Sequence, residues 1–142
     1  MIGTIIGKNY PAKVIPLVDA AKFSIRIIVF DWRWYPNDPG NPVQLLNQAL
    51  VRAVRRGVKV EAIANNNDIV AVLRSVGVDA KKLNIKNLVH AKLMIFDDNV
   101  VVIGSHNFSQ AAFTTNMEAS IIVSDFDGVS DFIHFFTSLC RL

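Results

Sequence analysis

Residues 89–108 read VHAKLMIFDDNVVVIGSHNF. Two apolar runs, rich in β-branched residues, flank Asp97-Asp98-Asn99, the pattern of two strands joined by a tight turn. Within that apolar setting His90 and Lys92 stand two residues apart, and side chains two apart on a strand share a face. A two-residue turn at Asp98-Asn99 would place Lys92 opposite Ser105 and His90 opposite Asn107, a pairing that a slip of one residue would undo. Gly104, next to Ser105, leaves room for a ligand or a neighbouring backbone to come close.

The chain around this hairpin alternates between two periods. Val14, Ile15, Val18 and Ala21 recur at helical spacing, which predicts a helix over 11–22. SIRIIVFD (24–31) is almost continuously apolar, like a strand covered on both faces. WRWYPNDPGNP (32–42) holds three prolines and a glycine and reads as a loop. Val43, Leu46, Leu50, Ala53 and Val54 form the stripe of a helix over 43–56, with Gly57 as its C′ residue. VKVEAIA (58–64) reads as a second strand, and the asparagines at 65–67 as the turn and cap of a helix running to about Val76. A short strand is expected near 81–86, a loop or helical turn over 107–115, a strand over 117–124 and an amphipathic helix over 127–141. Strands interleaved with helices, followed by a hairpin, predict an α/β fold. Its mixed sheet is flanked by helices on both faces, and residues 1–142 form a single domain.

Composition bounds the function only loosely. The chain of 142 residues is 51% hydrophobic and 19% charged, so it folds around a core and is not a disordered tail. A net charge of +3 permits an anionic partner without requiring one. With Cys140 as the one cysteine there is no internal disulfide. MIGTIIGKNYPAKV lacks the basic and apolar regions of a secretory signal, and no apolar run is long enough to span a bilayer. These features together point to a reducing, cytoplasmic setting and to no stable membrane association.

The polar residues of the hairpin suit a phosphate. Lysine offers a compact positive charge, and asparagine and serine offer neutral donors to non-bridging oxygens. Histidine, with an ordinary pKa of about 6.5, serves near neutrality either as a nucleophile or as an acid. A nearby carboxylate would orient its ring, and Glu118, early in the next strand, is the candidate.

These residues also carry a family resemblance. His90-x-Lys92, four residues, Asp97, six residues, then Gly104-Ser105-x-Asn107 resembles the H-x-K-x4-D-x6-G-S-x-N signature of the phospholipase D superfamily at every defined position. Glu118 lies where that family has a downstream acidic residue. The resemblance implies a metal-independent phosphodiesterase that needs no cofactor and works through a phosphohistidine. It implies His90, Lys92, Ser105, Asn107 and Glu118 as the catalytic set. Two such motifs make one site in that family, and this chain has one, so the resemblance also implies a homodimer like the short endonucleases it looks most similar to. Physical reasoning agrees: in-line displacement needs a nucleophile and an acid on opposite sides of phosphorus, one hairpin offers one imidazole, and a two-fold interface presents the same patch twice.

The remaining candidates divide between site and scaffold. Asp97 and Gly104 are expected to be structural, Asp97 by fixing the turn through local hydrogen bonds. Trp32, Trp34 and Tyr35 follow the first long strand, where ligand loops sit in open α/β sheets. They are candidates for a substrate rim, against packing in the core or in a dimer interface. Arg52, Arg55, Arg56 and Lys59 read as a solvated helix face before a nucleic-acid contact. His106, at a variable position of the signature, is expected to have no role, and His134 to be exposed. Nucleic acid is the expected substrate. The rival readings are a phospholipid phosphodiesterase and a non-catalytic nucleic-acid-binding or dimerisation module.

Overall fold

A computed structural model describes all 142 residues. The elements follow in the order β1 (Ile2–Ile6), a 3-10 turn (Gly7–Asn9), α1 (Tyr10–Ala20), β2 (Ser24–Ile28), α2 (Pro42–Arg55) and β3 (Lys59–Ile63). They continue with α3 (Asn67–Ser75), β4 (Asp79–Lys81), β5 (Leu93–Phe96), β6 (Val100–Gly104), α4 (Gln110–Thr114), β7 (Ala119–Ser124) and α5 (Val129–Cys140). One seven-stranded sheet takes the order β1-β7-β6-β5-β2-β3-β4. β2, β3 and β4 are mutually parallel, and β5, β6, β7 and β1 extend the sheet from β2 in antiparallel fashion. The expected mixed α/β sheet is therefore present.

Alternation along β2 sets the two layers. Ile25 and Ile27 point into a larger core that holds Val14 and Val18 of α1, Leu46 and Leu50 of α2, Ile69 and Leu73 of α3, and Phe113 of α4. Ile28 points the other way, into a smaller core with Ile95, Val129 and Phe136, covered by α5. The helices start where side chains satisfy their first amides: Asn41 accepts from Val43 N at 2.9 Å, Asn66 from Ile69 N at 2.9 Å and Ser109 from Ala112 N at 3.2 Å. α2 stops at Gly57, whose φ of +95° is one that glycine adopts without a Cβ penalty.

Two strand boundaries and the hairpin register differ from expectation, the boundaries because a partner runs out. β2 ends at Ile28, its last residue paired with β5, so Val29–Asp31 leave the sheet as a loop. β4 covers Asp79–Lys81 in place of 81–86, because β3, its one neighbour, ends at Ile63 opposite Lys81. The hairpin register is also displaced by one. Leu93 pairs with Ile103 and Phe96 with Val100, so the connection has three residues, with Asp97 and Asp98 both in the left-handed region at φ +52° and +55°. Lys92 consequently lies across from Gly104, whose N–H donates to the Lys92 carbonyl at 3.4 Å, and not opposite Ser105.

Candidate functional site

His90-Ala91-Lys92 lead straight into β5, at the end of the sheet where β2 and β3 also finish. Lys92 Nζ lies 3.0 Å from Nδ1 and 3.2 Å from Nε2 of His90. An ammonium only donates, so the ring nitrogen facing it is the acceptor. Phe30, just beyond β2, backs the pair: its ring centroid is 5.0 Å from that of His90 and 5.9 Å from Lys92 Nζ. Burial lowers the Lys92 pKa from its ordinary value, and the Glu118 carboxylate works against that shift. His90 itself is exposed.

The neighbouring strand exit supplies the other groups. Ser105 Oγ donates to Glu118 Oε1 at 2.6 Å and accepts from Ala119 N at 3.0 Å. Glu118 Oε2 accepts from Asn116 Nδ2 at 3.1 Å. The carboxylate is thus held by Ser105 and Asn116, and the expected contact with His90 of the same chain is not made. Asn107 Oδ1 accepts from Asp31 N at 3.0 Å, which turns its Nδ2 donor outward. Backbone bonds on both sides of Trp32 fix that geometry: Phe108 N donates to Asp31 O and Arg33 N to Phe108 O, each at 2.9 Å. Gly104 is required because a Cβ there would collide with Ser120 Oγ and the Ala119 carbonyl. The close neighbour is strand β7.

Other residues singled out by sequence sit elsewhere. Asp97 lies at the far end of β5 and is a long-range clamp where a local one was expected. Its carboxylate accepts from Phe23 N at 2.7 Å, Ser24 N at 3.0 Å and Lys22 N at 3.0 Å. Burial raises its pKa, but those three amides and the Lys22 charge outweigh burial and hold it below the usual carboxylate range. His106 is fully buried and structural: Nε2 donates to Gly7 O and Nδ1 accepts from Ser120 Oγ, both at 2.7 Å. Burial lowers its pKa against the opposing influence of the Gly7 carbonyl and Glu118. His134 is exposed, as expected.

Trp32, a candidate for a substrate rim, is packed into the core. It is 1% exposed, its Nε1 donates to Asn47 Oδ1 at 2.9 Å, and its ring meets Phe108 edge-on. Trp34 and Tyr35 are half-buried; Trp34 borders an open groove with Arg33 and Asn66, and Tyr35 OH accepts from Gln110 N at 3.3 Å. Arg52 pairs with Asp19 at 3.1 Å, and Arg56 donates to the Val18 and Ala21 carbonyls. These arginines tether α2 to α1 at the end of the sheet opposite His90. Sequence reasoning missed Phe30 and Asn116. Phe30 closes the β2 run, and Asn116 precedes Glu118 by two residues, which is the available signal for each.

A mixed sheet with His-x-Lys leading into one central strand and Gly-Ser-x-Asn leaving the next defines an α/β domain whose polar groups gather at one end of two adjacent strands. The chain belongs to the phospholipase D superfamily: the family model described as cardiolipin synthase, PLD-like domain, matches residues 14–140. The mitochondrial cardiolipin hydrolase of Canis lupus familiaris is 28% identical over 132 residues, 92% of this chain and 50% of that protein. The chain thus spans about half the length of that curated relative. Two solved structures share the fold. NucT from Helicobacter pylori has a TM-score of 0.80 at 18% identity, covering 99% of this chain and 96% of its own. Nuc from Salmonella typhimurium, a phospholipase D family member, has a TM-score of 0.80 at 23% identity, covering 99% and 95%.

Proposed function

We propose that residues 1–142 form a catalytic domain that cleaves phosphodiesters without a metal ion, acts on nucleic acid, and works as a homodimer. The observation that carries this reading is a single exposed imidazole with an ammonium 3.0 Å from its ring. His90 attacks phosphorus, the P–N bond forming as the bond to the leaving oxygen breaks. His90 of the partner subunit gives that oxygen its proton. The same imidazole, now neutral, takes a proton from water, which attacks phosphorus and breaks the P–N bond, releasing a phosphomonoester. Lys92 and the outward Nδ2 of Asn107 offset the charge that develops on the non-bridging oxygens. Ser105 and Asn116 fix Glu118, leaving it free of its own His90 and open to that of a second copy.

The surface beside the site supports the dimer. Ile2, Ile6 and Ile121 share one sheet face by their pairing, β1 to β7. Ile2 and Ile6 are 74% and 60% exposed, and Met117, next to Glu118, is fully exposed. Nothing in the chain covers this apolar edge, and a second copy placed on it would bring two sites together. Nucleic acid is favoured by Lys82 and Lys86 on the segment leading to His90, and by near full-length structural likeness to NucT and Nuc. A phospholipid substrate is the second reading, favoured by the relatives named cardiolipin hydrolase.

Labelled single- and double-stranded DNA and RNA in excess EDTA, offered to the parent and to His90→Ala, test the reading. The parent cleaves and the variant does not. A folded, dimeric parent that leaves all four intact refutes it, and hydrolysis of cardiolipin vesicles by that same preparation installs the second reading.

A further inference from the structure

A second concavity opens beside the site. It measures about 110 Å³ and lies where the two core layers part, beyond the ends of β2 and β3. Val29, Ile63, Leu83, Ile85 and Val89 give it apolar walls. Asn65 and Asn87 bring carboxamides to it, Lys82 and Lys86 bring ammoniums, and no acidic residue lines it. Neither lysine takes part in an ion pair. The end of parallel strands is the usual place for a ligand in an open α/β sheet.

This pocket shares its walls with the site. Val29 precedes Phe30, which backs His90, and Val89 precedes His90 itself. Consecutive Cα atoms are about 3.8 Å apart, so the pocket wall and the site adjoin along the chain at both places.

We propose that the pocket receives an unstacked base of single-stranded nucleic acid, the base next to the scissile phosphate, and that it prefers a pyrimidine. The inference rests on the nuclease reading above and deepens it. Apolar walls suit the faces of a flat ring, and two carboxamides suit its polar edge, each offering a donor and an acceptor. The two ammoniums suit phosphates flanking that base. Size selects among bases: an apolar cavity of about 150 Å³ encloses benzene, so an open pocket of 110 Å³ seats only part of a single ring and leaves most of a fused bicycle outside. An acyl chain is too long for the space, and a cationic headgroup would meet two like charges.

The test compares oligo-dT, oligo-dA and an abasic oligonucleotide of equal length, cleaved in EDTA by the parent, by Ile85→Trp and by Asn87→Ala. Ile85 is half-buried on the pocket wall, and tryptophan there fills the space; Asn87 is exposed, so its truncation leaves the fold intact. The parent cleaves oligo-dT about tenfold faster than the abasic strand, with oligo-dA between them. In Ile85→Trp that ratio falls to about one, and in Asn87→Ala it falls severalfold. Equal cleavage of all three strands by the parent, or an unchanged ratio in both variants, overturns the pocket while the nuclease reading stands. A parent that cuts none of the strands overturns both. Hydrolysis of anionic phospholipid vesicles in place of oligonucleotides, lost in Ile85→Trp, reassigns the pocket to a headgroup and also overturns the inference.

Discussion

Asp97 is the member of the His-x-Lys…Asp signature whose position and contacts separate architecture from chemistry. Its carboxylate collects the amides of Lys22, Phe23 and Ser24 and so ties the hairpin turn to the start of β2. Replacing it with alanine removes the acceptor for all three. Hydrogen bonds to a charged group contribute about 1.5–3 kcal/mol each, but two of these amides are exposed and regain water, so about 3 kcal/mol in total is expected. Alanine at φ +52° adds about 1 kcal/mol of backbone strain. Asp97→Ala should therefore lose about 4 kcal/mol and about 13 °C in Tm. Asp97→Gly, free of that strain, should lose about 3 kcal/mol, and Asp97→Asn, which keeps one acceptor oxygen, about 1–2 kcal/mol. Urea titration followed by tryptophan fluorescence at matched protein concentration measures the series. The sign in pH follows from the depressed folded pKa. The carboxylate's contribution is present above the unfolded value of about 3.9 and disappears as pH falls through the folded one. Folded Asp97→Asn should keep most of the parent's turnover, because Asp97 and His90 lie at opposite ends of β5. An Asp97→Asn protein as stable as the parent but without activity would refute this division of labour.

Further outcomes follow from other contacts. Gly104→Ala should cost about 1–3 kcal/mol, since the clash is with the β7 backbone. It should also lower turnover by shifting Glu118, both read from one purified sample by urea titration and steady-state assay. His106 is a base with a lowered folded pKa, so its contribution is present above about pH 6.5 and falls away on acidification below that value. Stability measured from pH 7.5 to 5 should fall less steeply in His106→Gln than in the parent. Trp32→Phe leaves Asn47 Oδ1 without its buried donor and should cost about 1–3 kcal/mol. Thermal melts report that loss, and an unchanged KM for oligonucleotides would agree with Trp32 lying outside any substrate path.

Much of this molecule was legible because periodicity and spacing are local. The stripe Val43, Leu46, Leu50, Ala53 identified α2, and the two apolar runs on either side of a turn identified β5 and β6. What failed depended on distant partners. The hairpin register hinged on Asp97 and Asp98 adopting left-handed backbone, and Asp97 does so while bonded to residues more than seventy positions away. Trp32 stood between a substrate rim and the core, because a place just after β2 suits either, and Asn47 on α2 and Phe108 after β6 draw it into the core. The site followed the same rule. His90 and Lys92 were placed together by two-residue spacing, while the partners of Glu118 emerged only in three dimensions.

The pairing of β1 with β7 has a consequence in time. Ile2 meets Val123 and Ile6 meets Ala119, so β1, made before every other strand of this sheet, has no neighbour until β7 has been made. At about 5–20 residues per second, roughly 6–24 s pass on the ribosome before that partner is made. Throughout that interval a short β-branched segment waits with its amides and its two exposed isoleucines unclaimed. Slowing translation ahead of β7 should therefore lower the yield of native protein more than an equal pause before β5.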